Sequence, residues 1–199
     1  MSLQSVNALL LAGGRSRRMH RDKATLIYGG RTQLERAAEL LSELCPVTYL
    51  SLRKGQDLPA DGPDLPTIED AYGEIGPLGG MLSAFSTHPD NAWLVVACDL
   101  PFLGPVTLRH LLRERDTDRI ATAYRSARDG LPEPLCAIYE PSAFRELSRF
   151  WEEEKMRCPR KILIRTEPKL LDPVDHRALD NVNTPEEYDE AAAKLTATA

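Results

Sequence analysis

The chain has 199 residues, of which 42% are hydrophobic and 28% are charged, and its 25 Lys and Arg against 30 Asp and Glu leave a net charge of −5. This balance excludes an intrinsically disordered chain, and the acidic charge argues against a protein that binds duplex nucleic acid. No apolar stretch approaches the roughly 20 residues of a membrane span, and the length suits one domain, expected over 1–199 with an ordered core of about 5–195.

Strand and helix patterns alternate along the chain. An apolar run predicts a strand covered on both faces at 6–12. Helices are predicted at 32–45, 77–87, 105–115 and 141–154. Further strands are predicted at 47–52, 92–98, 119–124 and 134–139, and a loop at 53–66. Thr184, Pro185 and Glu187 have the spacing of a capped helix start. The alternation predicts an α/β fold, a three-layer α/β/α sandwich around a mostly parallel, Rossmann-like sheet.

The loop at 12–23 follows the first strand, at the end of a parallel sheet where ligands bind. Gly13 and Gly14 allow backbone amides to approach an anion closely. Five basic residues follow them, namely Arg15, Arg17, Arg18, Arg21 and Lys23. Charge-assisted hydrogen bonds from these side chains suit a diphosphate or triphosphate. On the glycines alone, a plain strand-to-helix turn with a solvated basic face is an equal alternative.

Polar residues follow other predicted strands and precede the last helix. Asp99 comes directly after strand 92–98, where it could bind Mg²⁺ or cap a turn. Asp70 could accept hydrogen bonds from a base or a ribose, or close a turn, and Asn183 could reach a ligand or organise the last helix.

The cysteines and histidines predict no metal centre. The cysteines lack metal-ligand spacing, which predicts reduced, buried thiols in a cytoplasmic protein; they are Cys45, Cys98, Cys136 and Cys158. His88, His110 and His176 have no ligand spacing either, and we expect them to be surface or structural residues.

The segment LAGGRSRRMHRDKATL, at 11–26, resembles the signature of nucleotidyltransferases that activate a phosphate or a sugar phosphate with an NTP. Within that superfamily it is most similar to the molybdenum cofactor guanylyltransferases, and the segments 69–85, 95–103, 132–139 and 181–188 resemble further blocks of that family in the same order. The resemblance implies a sheet of the nucleotide-diphospho-sugar transferase type. It also implies Mg²⁺-dependent transfer of GMP from GTP to the terminal phosphate of molybdopterin, with release of pyrophosphate.

The resemblance further implies a role for each residue that matches the family's motifs. The backbone of Leu11, Ala12, Gly13 and Gly14 would hold the nucleotide. Lys23, Arg18 and Asp99 would be catalytic, the first two on the triphosphate and Asp99 on Mg²⁺, while Asp70 would lie by the nucleoside and Asn183 on the acceptor side. The LAGG sequence resembles the guanine-using branch, since cytosine-using relatives more often have TAAG. Molybdenum-inserting proteins or molybdoenzymes are the implied protein partners, with neither nucleic acid nor membrane.

His20 stands where the family has glycine. A side chain there could crowd the phosphates or strain a turn that needs glycine. A GTP-binding homologue without turnover therefore stays open as an alternative, as does the same chemistry with CTP or with a sugar-1-phosphate acceptor.

Overall fold

The structure is a computed structural model that describes residues 5–13, 25–57 and 62–196. Seven residues singled out in the sequence lie outside the described residues, namely Gly14, Arg15, Arg17, Arg18, His20, Arg21 and Lys23. No helix in the described ranges is both long enough and apolar enough to cross a membrane.

Within the described ranges, seven strands form the central sheet, in the order β5-β4-β1-β6-β8-β7-β9. In chain order they are β1 (Val6–Leu11), β4 (Thr48–Leu52), β5 (Thr67–Glu69), β6 (Ala92–Ala97), β7 (Ala121–Arg125), β8 (Pro132–Tyr139) and β9 (Lys169–Leu171). A separate antiparallel hairpin consists of β2 (Ile27–Tyr28) and β3 (Arg31–Thr32). In the central sheet only β8 runs against its neighbours, while the pairs β1·β4, β1·β6, β4·β5 and β7·β9 are parallel. The predicted mostly parallel sheet is confirmed.

Six helices are described, and they cover both faces of the sheet. They are α1 (Gln33–Ser42), α2 (Pro77–Thr87), α3 (Pro105–Arg113), α4 (Ala143–Glu154), α5 (Pro159–Thr166) and α6 (Pro185–Thr196). Successive side chains of a strand point to opposite faces, so Leu10 packs with α1 and α3, whereas Leu9 packs with α2, α4 and α5. This arrangement confirms the three-layer α/β/α sandwich.

The helix starts follow the capping chemistry of the sequence. Thr32 and Glu35 form a capping box at α1, with the Glu35 N–H donating to Thr32 Oγ1 at 3.2 Å. Thr184 and Glu187 do the same at α6, also at 3.2 Å, as predicted. α1 ends at Ser42, three residues before the predicted boundary at 45.

All four cysteines are free, and three of them are buried. Cys158 is exposed, so the expectation of a buried thiol is wrong there. The reason is its position at the N-cap of α5, in the connection that enters that helix, and not on a face that packs against the sheet.

Candidate functional site

The carboxyl ends of β1, β4, β5 and β6 meet at one edge of the sheet because these four strands are parallel. From β1 the chain goes on to β4 on one side, whereas from β6 it goes on to β7 on the other side, so the connections from these two adjacent strands diverge around a crevice. Ligands of open α/β sheets bind in such a crevice. The Cys98 N–H donates to the Leu11 carbonyl at 3.2 Å. This backbone hydrogen bond holds the ends of β1 and β6, which form the two sides of the crevice, next to each other.

The segment Leu11–Gly13 is anchored to the end of β4 and the turn that follows it. The Ala12 N–H donates to the Ser51 carbonyl at 3.1 Å, and Gln56 Nε2 donates to the Ala12 carbonyl at 3.2 Å. A Cβ at Gly13 would lie 3.1 Å from Cγ of Arg53 and 3.3 Å from its backbone nitrogen. A side chain at position 13 would be in tight contact with Arg53, which would have to shift by a few tenths of an ångström.

Asp70 follows β5 and sits at the same edge. Its N–H donates to the Leu52 carbonyl at 2.8 Å, and its Oδ1 accepts from the Tyr72 N–H at 2.8 Å, so Asp70 does close a turn. Burial raises the pKa of the Asp70 carboxyl, against the opposing effect of the backbone N–H groups of Tyr72 and Gly73. The site thus holds a carboxylate that is partly removed from water.

Two glycines at the start of α2 leave room for polar groups of the neighbouring strands. A Cβ at Gly79 would overlap the Asp70 carboxylate, and one at Gly80 would overlap the Ser51 hydroxyl. Both glycines are buried, and the first turn of α2 therefore packs directly against Asp70 and Ser51.

Asp99 is half-buried and follows β6 on the other side of the crevice. Its carbonyl accepts from the Val182 N–H at 3.2 Å, which brings the segment before α6 to the site. The neighbouring Asn183 N–H donates to Glu187 Oε2 at 2.6 Å, so Asn183 organises the helix start while lying one residue from the Asp99 contact.

The position of Asp99 suits a divalent cation that also binds substrate phosphates. No group of three or more His, Cys, Asp or Glu side chains among the described residues could hold a metal by itself. Mg²⁺ is typically bound through one or two carboxylates together with phosphate oxygens and waters. A single carboxylate beside a crevice at the carboxyl edge of the sheet is compatible with that mode of binding.

Asp70 and Asp99 lie on the same edge but not side by side. Three strand intervals separate β5 from β6, which at about 4.8 Å each amounts to about 14 Å. The two carboxylates would therefore contact opposite ends of one extended ligand. Arg18 and Lys23 lie outside the described residues, so their contacts stay predictions.

A pocket of about 370 Å³ opens beside Asp99. Arg157 and Cys158 line it just before α5, and Glu133 lines it from the start of β8. Arg160, which also lines it, is paired with Asp129 at 3.1 Å and with Glu133 at 2.7 Å. Arg157 instead stacks over the Trp151 ring at 5.5 Å from its centroid and has no ion pair among the described residues. No motif of the sequence contains Arg157, so nothing in the sequence indicates this cation.

Cys136 and three of the histidines have environments that differ from those of the residues above. Burial raises the pKa of Cys136, in the floor of that pocket, to about 12, so it remains a thiol at neutral pH. His110 Nδ1 lies 2.8 Å from the Tyr124 hydroxyl, His88 packs on the rings of Tyr49 and Trp93, and His176 is exposed. The histidines are surface or structural residues, as expected.

Comparison with known proteins gives consistent results. Residues 8–169 match the family described as MobA-like NTP transferase domain. The chain is 32% identical over 203 residues to the molybdenum cofactor guanylyltransferase of Rhizobium meliloti, covering 94% of this chain and 91% of that protein. It is 34% identical over 180 residues to a molybdenum cofactor biosynthesis bifunctional protein of Synechocystis, where the match covers 90% of this chain and 52% of the relative, so it spans about half of that protein.

The fold agrees with a solved structure of a related kind. The crystal structure of molybdopterin-guanine dinucleotide biosynthesis protein A from Archaeoglobus fulgidus superposes with a TM-score of 0.80, at 24% identity, over 96% of this chain and 100% of that one. The resemblance stated from the sequence, and the nucleotidyltransferase class that it implies, are confirmed. The chain belongs to the MobA-like NTP transferase family.

Proposed function

We propose that this protein transfers GMP from GTP to the terminal phosphate of molybdopterin and releases pyrophosphate. One observation carries the proposal: Leu11–Gly13 and Asp99 leave adjacent parallel strands and are joined through the Cys98–Leu11 hydrogen bond. A nucleotide held by the backbone of the first segment would have its phosphates beside the Asp99 carboxylate.

The proposed nucleotide extends along the carboxyl edge of the sheet. Its nucleoside lies on the Asp70 side, and its phosphates lie on the Asp99 side. The matching residues of the signature, Gly14, Arg18 and Lys23, supply the remaining contacts to the triphosphate.

NTP transferases are generally metal-dependent, and Asp99 is the residue that would hold Mg²⁺ here. When bound, Mg²⁺ would neutralise charge on the triphosphate and favour departure of pyrophosphate. Lys23 would add positive charge at the transferring phosphoryl group. These charges offset the repulsion between two anionic substrates.

The pocket beside Asp99 is the proposed acceptor site. Arg157 and the start of α5 would attract the terminal phosphate of molybdopterin, since a helix N-terminus and a guanidinium both favour anions. An acceptor oxygen attacks the α-phosphorus, the bond from that phosphorus to the β-phosphate oxygen breaks, and pyrophosphate leaves. The second pKa of a phosphate monoester is about 6, so the acceptor is largely dianionic at pH 7 and needs no general base.

GTP and molybdopterin are thus the proposed substrates. Molybdenum-inserting proteins or molybdoenzymes are the proposed partners for supply and delivery, and the cytoplasm is the proposed location. These assignments follow from the family resemblance and from the chemistry of the acceptor.

The test is pyrophosphate release with GTP, CTP and ATP, each combined with molybdopterin or with a sugar-1-phosphate. We expect release only with GTP and molybdopterin in the presence of Mg²⁺. If pyrophosphate is released with CTP and not with GTP, the protein is a cytidylyltransferase. If it is released with the sugar-1-phosphate and not with molybdopterin, the acceptor is a sugar phosphate.

A second candidate is a GTP-binding protein without turnover, favoured by His20 in place of the family's glycine. GTP binding measured by calorimetry, together with no pyrophosphate release in any combination, would support it. Reactivation by His20→Gly would then identify the histidine as the cause.

A further inference from the structure

The turn after β4 is built so that it holds one arginine against the crevice. The Gln56 N–H donates to the Arg53 carbonyl at 3.0 Å, and Gly55, with φ of 68°, takes the left-handed position of the turn. The Gly55 N–H donates to Glu69 Oε1 at 2.8 Å, which fixes the turn to the end of β5. The turn is thereby held at the Arg53 carbonyl and at the Gly55 N–H.

Gln56 links this turn to Leu11–Gly13. Its Nε2 donates to the Ala12 carbonyl at 3.2 Å, and its Oε1 accepts from both the backbone N–H and the Nε–H of Arg53 at 3.2 Å. Because an amide has one donating end and one accepting end, these three partners determine its orientation. Gln56 is therefore a positioning residue for Arg53.

The guanidinium of Arg53 keeps unused donors, on a side chain whose stem lies beside Gly13. Its Nε donates to Gln56, and within 5–13, 25–57 and 62–196 its Nη atoms have no hydrogen-bonding or ion-pair partner. Its Cγ lies 3.1 Å from the position of a Cβ on Gly13, so the stem packs on the proposed nucleotide segment. Arginine offers only donors, and this one is oriented before any ligand arrives.

The position of Arg53 favours contact with the base over contact with the phosphates. β4 lies on the opposite side of β1 from β6, so Arg53 and Asp99 leave the sheet about two strand intervals, or about 10 Å, apart. With the phosphates beside Asp99, the base lies towards β4 and β5. This is the end of the ligand that Arg53 can reach.

We propose that Arg53, positioned by Gln56, donates to the O6 and N7 atoms of guanine and thereby selects GTP. Both of these atoms accept hydrogen bonds, whereas adenine presents N7 with a donating amino group and cytosine presents a donating amino group. The two N–H donors of the guanidinium therefore pair with the two acceptors of guanine, whereas on adenine or cytosine they would face an amino group that is itself a donor. The inference rests on the proposed function, because it requires that the crevice bind a nucleotide.

The test measures nucleotide affinity by calorimetry, in Mg²⁺ buffer, for GTP and for 7-deaza-GTP, which lacks the N7 acceptor. For the unmodified protein we expect GTP to bind at least about tenfold more tightly, a typical effect for an arginine–guanine contact. Arg53→Gln should bind the two nucleotides equally, and Gln56→Ala should reduce the preference because the guanidinium loses its anchor. The matched control is Lys54→Gln, which removes the neighbouring exposed charge of the same turn and should keep the preference.

The outcomes separate the inference from the proposed function. Arg53→Gln could weaken the binding of both nucleotides equally, or of neither, with unchanged thermal unfolding. In that case Arg53 does not contact the base and the inference is wrong, although the proposed GTP transfer stands. If the unmodified protein binds no nucleotide and releases no pyrophosphate, the proposed function falls and the inference with it.

Discussion

Gly79 lies directly against the carboxylate of Asp70. A Cβ at position 79 would come within 2.7 Å of Asp70 Oδ1 and closer still to Oδ2. The first turn of α2 can approach the ends of β4 and β5 only because this side chain is absent, and that approach keeps Asp70 at the edge of the crevice.

Gly79→Ala is expected to damage both stability and nucleotide binding. Forcing a methyl group into a filled space typically costs about 1–3 kcal/mol of the free energy of unfolding, and the Asp70 carboxylate must move to make room. Urea unfolding and calorimetric titration with GTP would measure the two effects. Gly104→Ala is the control, since a Cβ there has nothing within 4 Å. If Gly79→Ala leaves the GTP affinity unchanged, the position of Asp70 does not matter for nucleotide binding.

The free energy of unfolding of Asp70→Asn is expected to rise, relative to that of the unmodified protein, as the pH rises. Burial raises the folded-state pKa of this carboxyl, so ionisation opposes folding as the pH rises from about 3.9, the ordinary value, through the raised value. The asparagine variant has no such penalty and can still accept from the Tyr72 N–H.

The measurement is urea unfolding of both proteins at several pH values from acidic to neutral. The stability difference should shift in favour of Asp70→Asn towards neutral pH, while its GTP affinity falls because a nucleoside contact is lost. The exposed Asp64→Asn should give no such trend. A difference that is constant with pH would contradict the assigned pKa direction.

Lys23→Ala is expected to keep the fold and to lose roughly 10²–10³ in turnover, the usual effect of removing one group that stabilises developing charge. Single-turnover pyrophosphate release measures the loss, and a normal thermal unfolding curve excludes a folding defect. Lys23→Arg, which keeps the charge, should recover part of the rate. Turnover at the level of the unmodified protein in Lys23→Ala would remove this lysine from the mechanism.

Asp99→Asn is expected to raise the Mg²⁺ concentration needed for half-maximal rate, because a neutral amide binds the cation less well than a carboxylate. Titration of the rate with Mg²⁺ at saturating GTP measures the change. Asp118→Asn removes an exposed carboxylate before β7 and should not alter the titration. If the Asp99→Asn titration matches that control, Asp99 is not the ligand.

The strongly patterned parts of the fold could be predicted from the sequence. The apolar runs of β1 and β6 and the amphipathic spacing of α2 match the structure to within a residue at each end. The rule for parallel sheets then predicts that Gly13 and Asp99 lie at one edge. Local pattern and general topology were sufficient there, because long buried segments leave few alternatives.

Short elements could not be predicted because distant contacts define them. The strand β9 has three residues and exists by pairing Lys169 with Thr122 of β7, and α5 has eight residues with few buried side chains. The reversed direction of β8 likewise depends on its pairing with β6. Consequently Arg157, which reaches the site because α5 packs near β8, carried no signal in the sequence.

Arg157→Ala therefore tests the part of the site that the sequence did not reveal. Arg157 lines the pocket beside Asp99, so its loss should raise the KM for molybdopterin about tenfold or more, the typical effect of losing a hydrogen bond to a charged group. The KM for GTP should stay unchanged, because the nucleotide occupies the other side of Asp99. Arg145→Ala, an exposed arginine on α4, is the control for general charge. An unchanged KM for the acceptor would place its phosphate elsewhere, whereas an equal loss for both substrates would indicate a disturbance of the whole crevice.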